Sequence, residues 1–101
     1  MKPNRTISDK RQRECELGLS EAFAVLTNPR DVHALLQDIC TPAELQALAD
    51  RWQVVLLLEQ GLPYRTIHDR TGVSVTTIGR VARYLGNGAG GYQAALEHLP
   101  H

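Results

Sequence analysis

The chain has 101 residues, with 11 basic and 11 acidic side chains and a hydrophobic fraction of 43%. This length fits one domain, and the hydrophobic fraction is far too high for an intrinsically disordered chain. No apolar run approaches the ~18 residues that span a bilayer, and the polar N-terminus lacks the apolar core of a signal peptide, so we expect a cytoplasmic protein.

The N-terminal region divides into a polar segment and an apolar stripe. Residues 1–14 are charged and polar, which leaves two alternatives, a flexible basic arm or the frayed start of a helix. An apolar stripe with helical spacing follows, formed by Cys15, Leu19, Ala22, Phe23 and Leu26. We therefore expect a single domain over 15–101, with 1–14 either a flexible N-terminal arm or the frayed start of its first helix. Cys15 and Cys40 are expected to be reduced, buried and free of a disulfide.

Helix start signals place the next two helices. Asn28 is a candidate N-cap, with Pro29 at the first helical position. The sequence TPAE at 41–44 forms a capping box, in which Thr41 caps a helix that runs to about Gln60. The second half of this helix is apolar on nearly every side, so it must be buried. A chain this short offers few other helices to cover it, which predicts a two-fold dimer.

Two shorter helices follow, separated by a glycine-containing turn. The first spans about Tyr64–Arg70, and the second spans Val75–Leu85 with Ser74 as its N-cap. Gly72 permits the sharp turn between them, as in a helix-turn-helix motif, here about 63–86. The glycine-rich sequence GNGAGG and a short helix, YQAALEHL, close the chain. The expected fold is all-α, with about six helices.

The second short helix has two different faces. Its apolar face, with Val81 directed inward, is formed by Ile78, Val81, Ala82 and Leu85. The opposite face carries two arginines and a threonine, groups that pair with base edges and phosphates in the major groove. The four arginines after residue 60 all lie between 65 and 83, so basic charge is concentrated here. The predicted DNA-binding residues are Arg65, Ser74, Thr76, Thr77, Gly79, Arg80 and Arg83.

The sequence DICTPAELQALADRWQVVLLLEQGLPYRTIHDRTGVSVTTIGRVARYL resembles the tryptophan repressor superfamily, and in particular its TrpR-related YerC/YecD branch. The opening DICTPAEL, the segment ALADRW, the motif TGVSVTTIGRV and the exit GNGAGGY carry the resemblance, over roughly residues 20–99. It implies an intertwined, all-α homodimer, TrpR-like in fold, with a helix-turn-helix head on each side and a role as transcriptional regulator.

The resemblance also bears on a small-molecule effector. The repressor holds tryptophan between two arginines, near a threonine and a glycine that leaves room for the indole. Four matching residues imply an effector site: Thr41, Arg51, Thr77 and Arg80. Val81 stands where the glycine is expected and Tyr84 where a serine is expected, so we expect no tryptophan response but leave another effector open. A salt bridge is the structural alternative for Arg51.

Other chemistries find little support in the sequence. The histidines lack the spacing of a metal site, and no catalytic constellation, phosphate-binding loop or cofactor motif is present. His68 lies either at the DNA face or at the turn surface, and Trp52 is expected in the core. The main hypothesis is a homodimeric regulator that binds double-stranded DNA at a near-palindromic operator. The alternative is a dimeric protein-interaction module that keeps the helix-turn-helix fold without specific DNA binding.

Overall fold

The computed structural model describes residues 7–100, and every regular element in that range is an α-helix. Six helices follow in chain order: α1 (Asp9–Ala24), α2 (Pro29–Ile39), α3 (Pro42–Glu59), α4 (Tyr64–Thr71), α5 (Val75–Asn87) and α6 (Gly91–His98). The prediction of an all-α fold with about six helices is confirmed. None of the described helices combines the length and the apolar character needed to cross a membrane.

Contacts within the chain divide it into two compact units, with the boundary between Thr41 and Pro42. We call the first the N-terminal unit, which contains α1 and α2, and the second the head unit, which contains α3 to α6. The expectation that 15–101 form a single dimerisation and helix-turn-helix domain stays a prediction.

The first helix of the N-terminal unit, α1, starts earlier in the chain than the apolar stripe indicated. The hydroxyl of Ser8 accepts a hydrogen bond from the backbone N–H of Arg11 at 3.1 Å, and this cap starts α1 at Asp9. Residues 9–14 are therefore helical, while residues 1–6 lie outside the described part of the chain. Both thiols are free, but the expected burial is wrong within one chain: Cys15 is exposed on α1, which buries no residue, and Cys40 is half-buried.

The head unit holds a core to which three helices and the turn between α4 and α5 contribute. Its buried residues are Val54, Val55, Ile67, Val73, Ile78 and Val81. The second half of α3 packs against both α4 and α5, as its nearly all-round apolar surface predicts. Trp52 is half-buried and packs against this core, with its ring centroid 6.5 Å from that of Tyr92.

Local signals set the ends of the helices. The side chain of Asn28 accepts from the backbone N–H of Asp31 at 2.9 Å, which confirms Asn28 as the cap of α2. α5 continues to Asn87, two residues beyond its predicted end, since Gly86 keeps a helical backbone. The chain leaves the helix at Gly88 instead, where a Cβ would collide with the carbonyl oxygen of Tyr84.

Candidate nucleic-acid interface

The turn between α4 and α5 is held by a compact set of hydrogen bonds. Gly72 adopts a left-handed conformation, with φ 76° and ψ −1°, and its N–H donates to the carbonyl of His68 at 2.8 Å. The Thr71 hydroxyl donates to the carbonyl of Ile67 at 2.7 Å and accepts from the N–H of Val73 at 3.0 Å. Any residue other than glycine would be strained at position 72, as the sequence predicted.

His68 adds a side-chain contact across the same turn. Its Nδ1 lies 2.7 Å from the carbonyl oxygen of Val73, and since a carbonyl only accepts, the Nδ1–H donates. Of the two places that the sequence allowed for His68, this contact puts its ring at the turn. The sequence offered no signal for it, because the bond joins a helix residue to a loop carbonyl five residues later.

Ser74, one of the predicted DNA-binding residues, caps the N-terminus of α5, and Thr77, another of them, is its hydrogen-bond partner. The hydroxyl of Ser74 accepts from the backbone N–H of Thr77 at 3.1 Å and donates to the Thr77 hydroxyl oxygen at 3.0 Å. Ser74 is therefore the N-cap that the sequence predicted. Both hydroxyls take part in this local pair, so they help to fix the start of the helix.

The two faces of α5 separate as predicted. Ile78 is fully buried and Val81 is 2% exposed, so the apolar face packs into the head core. Thr76, Arg80 and Arg83 are exposed, as is Arg65 on α4. Within the described part of the head unit, no carboxylate forms an ion pair with these three arginines. Their charge is left available to an anionic surface.

Gly79 lies in the interior of α5 between the two faces. A Cβ built there would meet the ring of Tyr64 at 4.0 Å, an ordinary van der Waals distance. Packing within the chain therefore does not require glycine at this position. Glycine in a helix interior is less favourable than alanine, so the requirement for close approach to DNA stays a prediction for Gly79.

Tyr84 contacts Arg80 and Arg83, two interactions that were not predicted from the sequence. The guanidinium carbon of Arg80 lies 4.8 Å from the centroid of the Tyr84 ring, and that of Arg83 lies 5.8 Å from it. The four-residue spacing of Arg80 and Tyr84 was the available signal, since such pairs are neighbours on a helix surface.

A cleft of about 210 Å³ lies beside these side chains, lined by Arg51, Arg80, Val81, Tyr84 and Tyr92. It brings together two of the four residues that the resemblance assigned to an effector, Arg51 and Arg80. Thr77 belongs to the cap of α5, and Thr41 belongs to the N-terminal unit. The Nε of Arg51 is buried without a hydrogen-bond partner among the described residues, so the structure offers no salt bridge at that atom.

No group of three or more His, Cys, Asp or Glu side chains that could hold a metal ion occurs between residues 7 and 100.

The short helix α4, the left-handed turn at Gly72 and the two-faced helix α5 define the class of helix-turn-helix proteins. Residues 17–100 match the model of the Trp repressor protein family, and the chain belongs to this family. DNA binding and transcription regulation follow from the family, which is not an enzyme class.

Individual relatives agree with this assignment. The chain is 36% identical over 81 residues to the uncharacterized protein YerC of Bacillus subtilis (strain 168), covering 80% of this chain and 78% of YerC. A crystal structure of a candidate Trp repressor from Staphylococcus aureus superposes with a TM-score of 0.77 at 33% identity, covering 91% of this chain and 93% of that one. A TrpR like protein from Eubacterium eligens ATCC 27750 gives a TM-score of 0.78 at 29% identity, with 93% and 100% coverage.

Proposed function

We propose that the chain is a cytoplasmic, homodimeric regulator of transcription that binds a near-palindromic operator. One observation carries the proposal: α5 buries Ile78 and Val81 on one face and exposes Thr76, Arg80 and Arg83 on the other, directly after a rigid turn. A helix that enters the major groove needs such a face, because its buried side fixes its orientation while its polar side meets the DNA.

The proposed DNA-binding residues have different roles, which follow from the chemistry of their side chains. Arg80 and Arg83 supply guanidiniums for guanine edges or phosphates, and Arg65 contacts the phosphate backbone from α4. Thr76 and Gly79 are small, so they allow close approach of the helix to the groove. Ser74 and Thr77 lie at the N-terminus of α5, where backbone N–H groups and the helix dipole favour a phosphate.

Uncovered apolar side chains support the homodimer. Neither α1 nor α2 buries a residue within one chain. Large hydrophobic side chains remain exposed there and at the start of α3, including Leu19 at 43%, Val25 at 74%, Ile39 at 53% and Leu48 at 45%. A second copy of the chain would cover such surface, and two heads on one face of a duplex would lie ~34 Å apart.

The packing of Val81 supports regulation without tryptophan. This side chain is 2% exposed and belongs to the head core, so it fixes α5 against the remaining helices without a ligand. An effector of another kind would meet Arg51 and Arg80 in the cleft, where both guanidiniums favour an anionic group.

Selection of bound sequences from random duplex DNA tests the proposal. The selection is run without additive, with tryptophan, and with a pool of other amino acids and nucleotides. A two-fold motif enriched equally in all three is the expected result. Enrichment that requires tryptophan contradicts the proposed independence, and enrichment that requires the pool indicates an effector at the cleft.

Salt dependence distinguishes DNA binding from the protein-interaction module. Binding through several arginines predicts that the logarithm of the affinity falls with the logarithm of salt concentration, with a slope of about −0.9 per phosphate neutralised. No duplex bound at any salt concentration, with the protein folded and dimeric, would favour the interaction module instead.

A further inference from the structure

Tyr84 lies beside both arginines of the exposed face of α5. The guanidinium carbons of Arg80 and Arg83 lie 4.8 and 5.8 Å from its ring centroid, both inside the ~6 Å within which an aromatic ring attracts a cation. The Tyr84 side chain is 40% exposed and is not among the residues that form or pack against the head core. Its contacts with the arginines therefore need an explanation other than core packing.

We infer that Tyr84 is a positioning residue for DNA binding, which holds the guanidiniums of Arg80 and Arg83 in the orientation with which they meet the duplex. This inference rests on the proposed function. An exposed arginine without an ion pair samples many rotamers, and ordering it on DNA costs conformational entropy. Contact with the ring restricts those rotamers before binding, which lowers that cost.

The geometry of an arginine over a ring suits this role. A ring attracts the guanidinium through its planar face, whereas the five N–H donors point outward in the plane. Contact with Tyr84 thus leaves the donors of Arg80 and Arg83 available for base edges or phosphates. A carboxylate would hold the same side chains by using those donors, and no carboxylate pairs with either arginine within the described part of the head unit.

The test measures affinity for a duplex recovered by selection, using Tyr84→Phe and Tyr84→Leu, each in the unmodified chain and in an Arg80→Gln background. Tyr84→Leu should weaken binding about two- to fivefold, which corresponds to an exposed cation–π contact, and Tyr84→Phe should bind like the unmodified chain. The loss caused by leucine should shrink when Arg80 is absent, because the two residues act through one contact.

Three results would overturn the inference. They are an unchanged affinity of Tyr84→Leu, an equal loss with and without Arg80, and a loss in Tyr84→Phe as large as that in Tyr84→Leu. Tyr84→Met, which keeps an apolar side chain without a ring, gives the same comparison if the leucine variant loses its fold. Failure of the unmodified chain to bind any duplex would instead overturn the proposed function, and this inference with it.

Discussion

The two compact units differ in how much of their apolar surface one chain can cover. In the described part of the head unit, six hydrophobic side chains are buried, and Val54, Val55 and Ile78 have no exposure at all. In the N-terminal unit, α1 and α2 bury none, and Val25 is 74% exposed. Both helices of the N-terminal unit begin with a side-chain cap, whereas α4 and α6 of the head unit do not, so capping does not explain the difference.

The difference shows where the stability of each unit must originate. Packing of an amphipathic face, rather than helix propensity, supplies most helical stability in proteins. The head unit obtains that packing from α3, α4 and α5 of the same chain. The N-terminal unit has apolar side chains for which the chain provides no cover, and in the proposed homodimer a second copy supplies it.

Ile78→Ala should have the largest effect, because it opens a cavity in the only part of the described chain with a buried core. We expect the free energy of unfolding to fall by about 2–5 kcal/mol, as for other buried isoleucines replaced by alanine. Urea denaturation followed by circular dichroism measures it. Val75→Ala, on the same helix but at a residue that is 53% exposed, is the control and should change stability by less than ~0.5 kcal/mol.

Leu19→Gln should separate the dimer while leaving the head folded. Leu19 belongs to the apolar stripe of α1 and is 43% exposed within one chain. Losing one buried leucine per protomer costs about 1.5 kcal/mol or more at each of two sites, so the dimer dissociation constant should rise about a hundredfold. Sedimentation equilibrium measures the dissociation constant.

The matched control for this dimer prediction is Leu17→Gln. Leu17 is 60% exposed and lies on the opposite side of α1 from the stripe, and the same substitution there should leave the dimer intact. Equal weakening by both variants would contradict the stripe as the dimer surface.

In the head unit, the sequence predicted the helix ends and the turn more accurately than it predicted the side-chain contacts. The cap at Ser74 and the turn at Gly72 were predicted because capping and left-handed turns depend on residues close in sequence. Two contacts were not predicted: the hydrogen bond from His68 to the Val73 carbonyl, and the contact between Tyr84 and Arg83. Both depend on the rotamers that the side chains adopt once the helices have formed.

The N-terminal unit was harder to predict for a different reason. Ser8 was not recognised as the cap of α1, because it lies seven residues before Cys15, where the apolar stripe begins. The exposure of Cys15 was missed because a periodic stripe indicates a face that packs, but not whether the same chain supplies the partner.

Arg83→Ala tests the exposed face that the buried core of the head supports. Loss of a guanidinium that contacts a base should weaken binding to the selected duplex by about 1–3 kcal/mol and relax the sequence preference at one position. Fluorescence anisotropy at several salt concentrations measures both. A parallel loss on all sequences, with a smaller salt slope, would assign Arg83 to a phosphate instead.

Arg30→Ala is the matched control for that measurement. Arg30 is an exposed arginine on α2 of the N-terminal unit, so its removal lowers the charge of the chain equally. We expect it to change affinity far less than Arg83→Ala does. Equal effects would indicate that overall charge, rather than the face of α5, governs binding.

Gly79→Ala should have a smaller effect than Ile78→Ala, Leu19→Gln or Arg83→Ala, and it separates folding from function. Alanine fits at this position at 4.0 Å from the Tyr64 ring, so the helix should become more stable by up to ~1 kcal/mol. If close approach to the groove is why glycine stands there, the same variant should bind the selected duplex more weakly.

Gly86→Ala is the control: on the same helix, with open space around its Cβ, it should give a similar gain in stability with unchanged binding. A more stable Gly79→Ala that binds as well as the unmodified chain would show that DNA does not approach α5 at this residue. The face in contact would then lie closer to Arg83, away from the glycine.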